Sequence, residues 1–168
     1  MSLADSPSRP PGPAVVRQES DCEDELERNL VRSVLERGFT VLSEPAQADS
    51  PAYSYTVGLN HRFGHPELVV LGLSRERAEA LLLVAAKAVK AGARLEVDST
   101  NEELLQDYPC RIGPVDRAQH RAYLGYARWF YRGDSFTALQ VVWPDRKGRF
   151  PDNQEFASSL REQQPLLS

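Results

Sequence analysis

The sequence has little of what most quickly assigns a protein to a class. Only two of its 168 residues are cysteine, Cys22 and Cys110, and they form no CxxC pair. That excludes a disulfide framework and a thiolate metal site of the usual spacing, and it predicts two reduced, structural thiols in a cytosolic protein. Positive charge is not in excess either: 20 Lys and Arg stand against 24 Asp and Glu, a net charge of -4. Non-specific nucleic-acid binding and attraction to anionic lipid both need a cationic surface, so neither is expected. Long apolar runs are missing. The longest, from Ala78 to Val89, is broken by Glu79 and Lys87 and falls short of the ~20 residues that span a bilayer. The opening MSLADSPSRPPGP has no basic start and no apolar core of the secretory kind. A cytoplasmic location is the expectation. No GxGxxG, P-loop or GxSxG pattern occurs, so simple nucleotide cradles and serine triads have no support.

What is present is ordinary globular material, 41% hydrophobic and 26% charged, enough for one core. Residues 1–19 hold Pro7, Pro10, Pro11 and Pro13 among Ser, Gly and Arg. With so little to bury, the segment reads as a disordered tail, and residues 20–168 read as a single domain. Ser20 and Glu23 have capping-box spacing. Leu26, Leu30 and Val34, with Val31 and Leu35, then make an apolar stripe that ends at Gly38. Strands are expected at Phe39–Ser43, Ala52–Leu59, Glu67–Leu73, Arg94–Val97, within Cys110–Val115, where Pro114 argues for a sheet edge, and at Ser135–Trp143. A second helix follows Ser74 to about Ala91 and a third runs from Arg117 to Arg132, with one helical turn expected in the polar stretch Thr100–Gln106 and a short helix after Asp152. The sum is an α+β domain: a central, mostly antiparallel sheet of about six strands, with a split-barrel-like form among its options, and about three helices packed outside.

Polar chemistry concentrates in two loops. His61, His65 and Glu67 share the first, and Trp143 and Asp145 lie in the second, which runs to Phe150. If the two meet in one cleft, His61 and His65 are acid-base or polar contacts, Glu67 and Asp145 their carboxylate partners, and Tyr55 and Trp143 the walls. A metal held by His61, His65 and Glu67 is disfavoured, because Gly64 and Pro66 oppose the helix that would align the two imidazoles. Trp143-Pro144-Asp145 resembles the acid loop of tyrosine phosphatases, yet the position six after Cys110 that should carry Arg is Asp116. Phosphatase chemistry is excluded on that count. In the second strand Ser54, Thr56 and Gly58 form a small, polar face that leaves room for an approaching ligand. On the third helix Trp129 falls off the apolar side and is free to stack on a ligand or partner.

Tyr55-Thr56-Val57-Gly58-Leu59, His65-Pro66-Glu67-Leu68, Leu139-Gln140, Trp143-Pro144-Asp145, Gly148, Phe150-Pro151 and Gln164-Pro165-Leu166-Leu167 occur in order. From about Arg37 to the end the chain resembles a bacterial family known only as domain of unknown function 4262. The family's usual Trp after the Phe-Pro pair is Asp152 here, which implies an altered or more open pocket. The resemblance supplies no reaction. The small-faced strand, short loop and buried strand also resemble the start of flavin-reductase-like split barrels. That likeness implies a flavin or other flat cofactor, with Ser54, Thr56 and Gly58 near its phosphate. The functional expectation is therefore a small-molecule-binding or catalytic domain of unassigned reaction and cofactor. Its rival is a non-enzymatic interaction or regulatory module, self-associating or docking a protein partner, with Trp129 and the Pro-rich tail as contact surfaces.

Overall fold

A computed structural model describes residues 15–168 of the chain. The expectation of a disordered tail falls, for residues 1–14, outside the described residues. From residue 15 onward the tail boundary needs correction. Arg17 donates its backbone N–H to the Phe130 carbonyl at 2.9 Å, and Glu19–Asp21 form a 3₁₀ turn, so the fold begins a few residues before Ser20.

Six strands make one sheet: β1 (Thr40–Glu44), β2 (Tyr53–Val57), β3 (Glu67–Leu71), β4 (Thr100–Leu105), β5 (Tyr108–Pro114) and β6 (Ala138–Val142). They lie side by side in the order β1-β2-β3-β6-β5-β4, which leaves β1 and β4 as the outer strands. Four of the five pairings are antiparallel. The exception is central: β3 and β6 run parallel, with Glu67 opposite Ala138 and Val69 opposite Gln140. Among the described residues the fold is α+β, with a mixed sheet and six helices.

Both faces of the sheet are covered, which is why β3 and β6 are buried along their whole length. Helix α3 (Arg75–Lys90) lies on one face, packing Ala78, Leu81, Leu82, Ala85, Ala86 and Val89 against Leu68, Val70, Ile112 and Val141. Helix α1 (Glu25–Arg37) covers the other with Leu30, Val31 and Val34, joined by Leu124, Ala127 and Phe130 from the segment before β6. Alternation along β3 serves the two layers in turn. The cap of α1 is Asp24, whose carboxylate accepts from the Glu27 N–H at 2.8 Å, and not Ser20. The Asp24-to-Glu27 pair has the same three-residue spacing four positions on. Leu26 and Leu35 stay exposed, so the stripe is narrower than its apolar spacing suggests.

Three further expectations need correction. Arg94–Val97 is not a strand: the Leu95 N–H that would join a ladder donates instead to His65 Nε2 at 3.0 Å. The fourth strand is Thr100–Leu105, whose outer position leaves Thr100, Glu102 and Glu103 exposed, so it lacks an apolar period. Pro114 does not mark a sheet edge, because β5 lies between β6 and β4; it stands at the strand's last position, beyond the β4 pairing that starts at Arg111. The single helix expected over Arg117–Arg132 is three pieces: a 3₁₀ turn, α4 (His120–Tyr123) and α5 (Gly125–Phe130). The break is at Leu124, fully buried, and it frees the Tyr126 N–H to donate to the Tyr55 hydroxyl at 3.0 Å. Two short helices complete the fold, α2 (Leu59–Phe63) and α6 (Ser158–Gln163). Among the described residues no helix is long and apolar enough to cross a membrane.

Candidate functional site

The parallel pairing of β3 with β6 decides where the expected site residues go. Glu67 starts β3 and Trp143 follows the end of β6. In parallel strands those are opposite ends of the sheet, and β3 alone, at about 3.3 Å per residue, puts roughly 13 Å between Glu67 and Leu71. The indole of Trp143 accordingly donates to the Leu71 carbonyl, at 2.7 Å, and not to anything near Glu67. Tyr55 belongs to the layer under α1 and Trp143 to the layer under α3. One cleft shared by the His61–Glu67 and Trp143–Phe150 loops is therefore not formed, and Tyr55 and Trp143 do not wall a common space.

At the first end the buried polar groups are consumed by the fold. Glu67 is fully buried and accepts four hydrogen bonds, from the Thr56 hydroxyl (2.7 Å), the Gly58 N–H (2.8 Å), the Asn60 N–H (3.2 Å) and the Tyr131 hydroxyl. Burial pushes its carboxyl above the ordinary range while the four donors pull the other way. The same burial, with the Glu67 charge, raises Tyr131. This carboxylate stands where the first N–H groups of α2 point, so the sequence NHRF can take one helical turn despite Gly64 and Pro66. Gly58 must be glycine there: its φ is +114°, and a Cβ would lie 2.6 Å from the Gly38 carbonyl oxygen.

His65 is wholly buried. Its Nδ1–H donates to the Pro66 carbonyl at 2.8 Å and its Nε2 accepts from Leu95 N–H, which defines a neutral imidazole with both nitrogens occupied. His61 is exposed on α2, its ring edge-on to Phe130 at 5.9 Å, and it shares no partner with His65. Burial lowers both histidines below their usual value. Ser54 and Thr56 are also buried. Ser54 meets the Ser43 hydroxyl at 2.7 Å, and Ser43 in turn donates to Glu79 of α3 at 3.0 Å. The hydroxyls on the small face read from β2 are thus already engaged, Ser54 by Ser43 and Thr56 by Glu67, although Ser54 borders a cavity of about 290 Å³ with Ser74 and Arg75. Among the described residues no group of three His, Cys, Asp or Glu side chains could hold a metal ion. Cys110 is buried and its thiol pushed up to about 12.

The second end is open. A cavity of about 460 Å³ lies beyond the C-terminal ends of β3 and β6 and against the first turn of α3. Its lining includes Gly72, Ser74, Arg77, Tyr108, Trp143 and Arg146. Trp143 is fixed from several sides: its indole by Leu71, and its backbone N–H and carbonyl by the buried Gln164 amide, each at 2.9 Å. Gln140 holds the following segment in the same way, donating to Pro165 and accepting from Leu167 N–H, both at 2.9 Å. Asp145 also borders the cavity, but its carboxylate organises the loop. It accepts from the N–H groups of Lys147 and Arg149 and from Arg149 Nε, at 2.8 to 2.9 Å. Burial would raise this carboxyl; the bonds from Arg149 and Lys147 outweigh it and hold it low. Arg77 and Arg146, by contrast, are exposed and pair with no carboxylate among the described residues. Sequence reasoning missed both, because two arginines 69 positions apart give no local signal. It also missed His120, buried on Phe136, whose Nδ1 lies 3.4 Å from Asp134 without a hydrogen bond. Asp152, at the position of the expected Trp, pairs with Arg111 at 2.8 Å and lies at a separate, smaller cavity of about 190 Å³.

No curated protein and no solved structure matches this chain. One family model does, over residues 33–157, a span that holds the β2 strand, the Glu67 network and the Trp143-Pro144-Asp145 loop but not Gln164–Leu167. The chain belongs to the family described as domain of unknown function (DUF4262).

Proposed function

We propose that the protein binds a flat, anionic small molecule in the cavity beyond β3 and β6. The observation that carries this reading is a pair of guanidinium groups, Arg77 and Arg146, with no carboxylate partner among the described residues, at a space that Trp143 and Tyr108 also line. The volume, about 460 Å³, suits a small ligand, whose pockets run from about 300 to 1,000 Å³. Arg forks recognise carboxylate or phosphate, and the aromatic faces offer a planar group a surface to stack on. The first turn of α3 adds the positive end of a helix dipole. Open sheets commonly bind ligands beyond the carboxyl ends of parallel strands, and β3 and β6 are such a pair. Binding is favoured over catalysis. Among the described residues the cavity's hydroxyls have no hydrogen-bonded base, and the Ser74 hydroxyl is already occupied, accepting from Arg77 N–H at 3.3 Å.

The test is a thermal-shift and calorimetry panel of flavin mononucleotide, adenosine monophosphate, phenyl phosphate and benzoate. At least one should bind below 1 mM, and a ligand at a hundred times its Kd stabilises by about 2.7 kcal/mol. The double variant Arg77→Glu, Arg146→Glu should lose that binding while its own melting temperature stays put. Binding that survives the charge reversal, or a panel without a ligand, overturns the reading.

A further inference from the structure

We propose that the chain's own residues 7–13 dock, within the same molecule, in an aromatic groove between β2 and α5. The groove encloses about 310 Å³ and is lined by Tyr53, Tyr55, Tyr126 and Trp129, with Glu44 and Arg121. Tyr53 stacks beside Tyr55 with ring centres 6.2 Å apart, and Tyr53, Tyr126 and Trp129 are only half-buried, so part of each ring is open to the groove. Grooves of this chemistry take proline-rich segments: pyrrolidine rings pack flat on aromatic faces, and the polyproline helix has little entropy to lose.

The chain carries a segment that fits. Pro7, Pro10 and Pro13 recur every third residue, the repeat that puts side chains on one edge of a polyproline helix. Arg9 is the sole basic side chain in residues 1–14, and Glu44 lines the groove as its complement. Position favours the same molecule as the source. Arg17 lays its guanidinium over the Trp129 ring at 5.5 Å and donates from Nε to the Trp129 carbonyl at 3.1 Å. The described chain therefore starts against one wall of the groove. Three residues lie between Pro13 and Arg17, so the connecting chain can span at most about 14 Å. A tether this short gives an effective concentration in the millimolar range, enough to fill a weak site.

Nuclear magnetic resonance of the full chain tests the proposal. Nuclear Overhauser contacts are expected between the Pro7, Pro10 and Pro13 ring protons and the rings of Trp129 and Tyr126. They should vanish in the Pro7→Ala, Pro10→Ala, Pro13→Ala variant, which leaves every described residue in place. A synthetic peptide of residues 1–14 should bind that variant at least tenfold more tightly than it binds the natural chain, whose groove is occupied. Absent contacts, equal peptide affinity, or contacts seen only between labelled and unlabelled copies in a mixed sample overturn it.

Discussion

The two ends of the parallel pair β3 and β6 carry similar polar inventories and put them to opposite uses. At the start of β3, Glu67 gathers four donors and His65 commits both ring nitrogens, so the polar atoms of both serve the fold. At the other end Asp145 is just as fully engaged, but Arg77 and Arg146 are left over beside an open space. A dense polar cluster is therefore weak evidence for a site. A satisfied network lowers its own free energy by being closed, and a ligand has nothing to add to it. Groups whose partners are missing are the ones a ligand can complete.

The largest expected effect comes from opening the closed end. Glu67→Ala leaves two backbone N–H groups and two hydroxyls buried without their acceptor, and each orphan costs about 1–3 kcal/mol. A loss of about 3–5 kcal/mol is expected in urea unfolding, against a change within about 0.5 kcal/mol for Arg77→Ala or Arg146→Ala. Equal, small losses at both ends would erase the distinction. Glycine sharpens it at the next level. Gly72 and Gly64 both have positive φ, +81° and +61°. A Cβ on Gly72 would lie 2.5 Å from the Gln163 carbonyl oxygen and 3.0 Å from the Trp143 ring, whereas one on Gly64 meets nothing within 4 Å. Gly64→Ala should cost only the left-handed strain, about 1 kcal/mol. Gly72→Ala should cost about 2–4 kcal/mol, because the backbone must also shift, and it should distort the cavity enough to weaken any ligand found there.

The fold was legible where side-chain pattern and burial agree. The stop at Gly38, the Ser74 cap, the buried run of β3 and the alternation of β2 are all local signals, and each element formed. Legibility failed where the partner of a group lies far along the chain. Leu95 has the surroundings of a strand residue, yet its N–H goes to His65, thirty positions earlier. The helix break at Leu124 depends on the hydroxyl of Tyr55. The candidate site failed for the same reason on a larger scale. Two polar loops were expected to meet, and whether they do depends on the direction of β6 relative to β3, which no local pattern encodes. Trp143 and Asp145 do border the cavity; the residues that give it charge, Arg77 and Arg146, had no motif to announce them.

The smallest effect is a pH dependence that belongs to the closed end. The native His65 must be neutral, since Nε2 accepts from Leu95 N–H; burial is the main cause of its lowered pKa, and the charge of Arg94 adds to it. The unfolded chain carries an ordinary histidine near pH 6.5. Below that value the unfolded state takes up a proton that folded His65 refuses, so its contribution is complete above pH 6.5 and declines as the pH falls toward the folded value. His61 and His120 are lowered too, again mainly by burial, and add slopes of the same sign. Glu67, raised by burial, has the opposite sign, because protonation favours its folded form as the pH falls. Each histidine can lose at most about 1 kcal/mol between pH 6.5 and 5.5, and stability curves alone cannot divide the sum among the groups. Nitrogen-15 spectra of the imidazole can: the Nδ1–H tautomer of His65 should persist below pH 6.5. A ring that charges at or above pH 6.5 would have to surrender the Leu95 bond, and the segment Arg94–Val97 would then be free to pair as the strand its composition suggests.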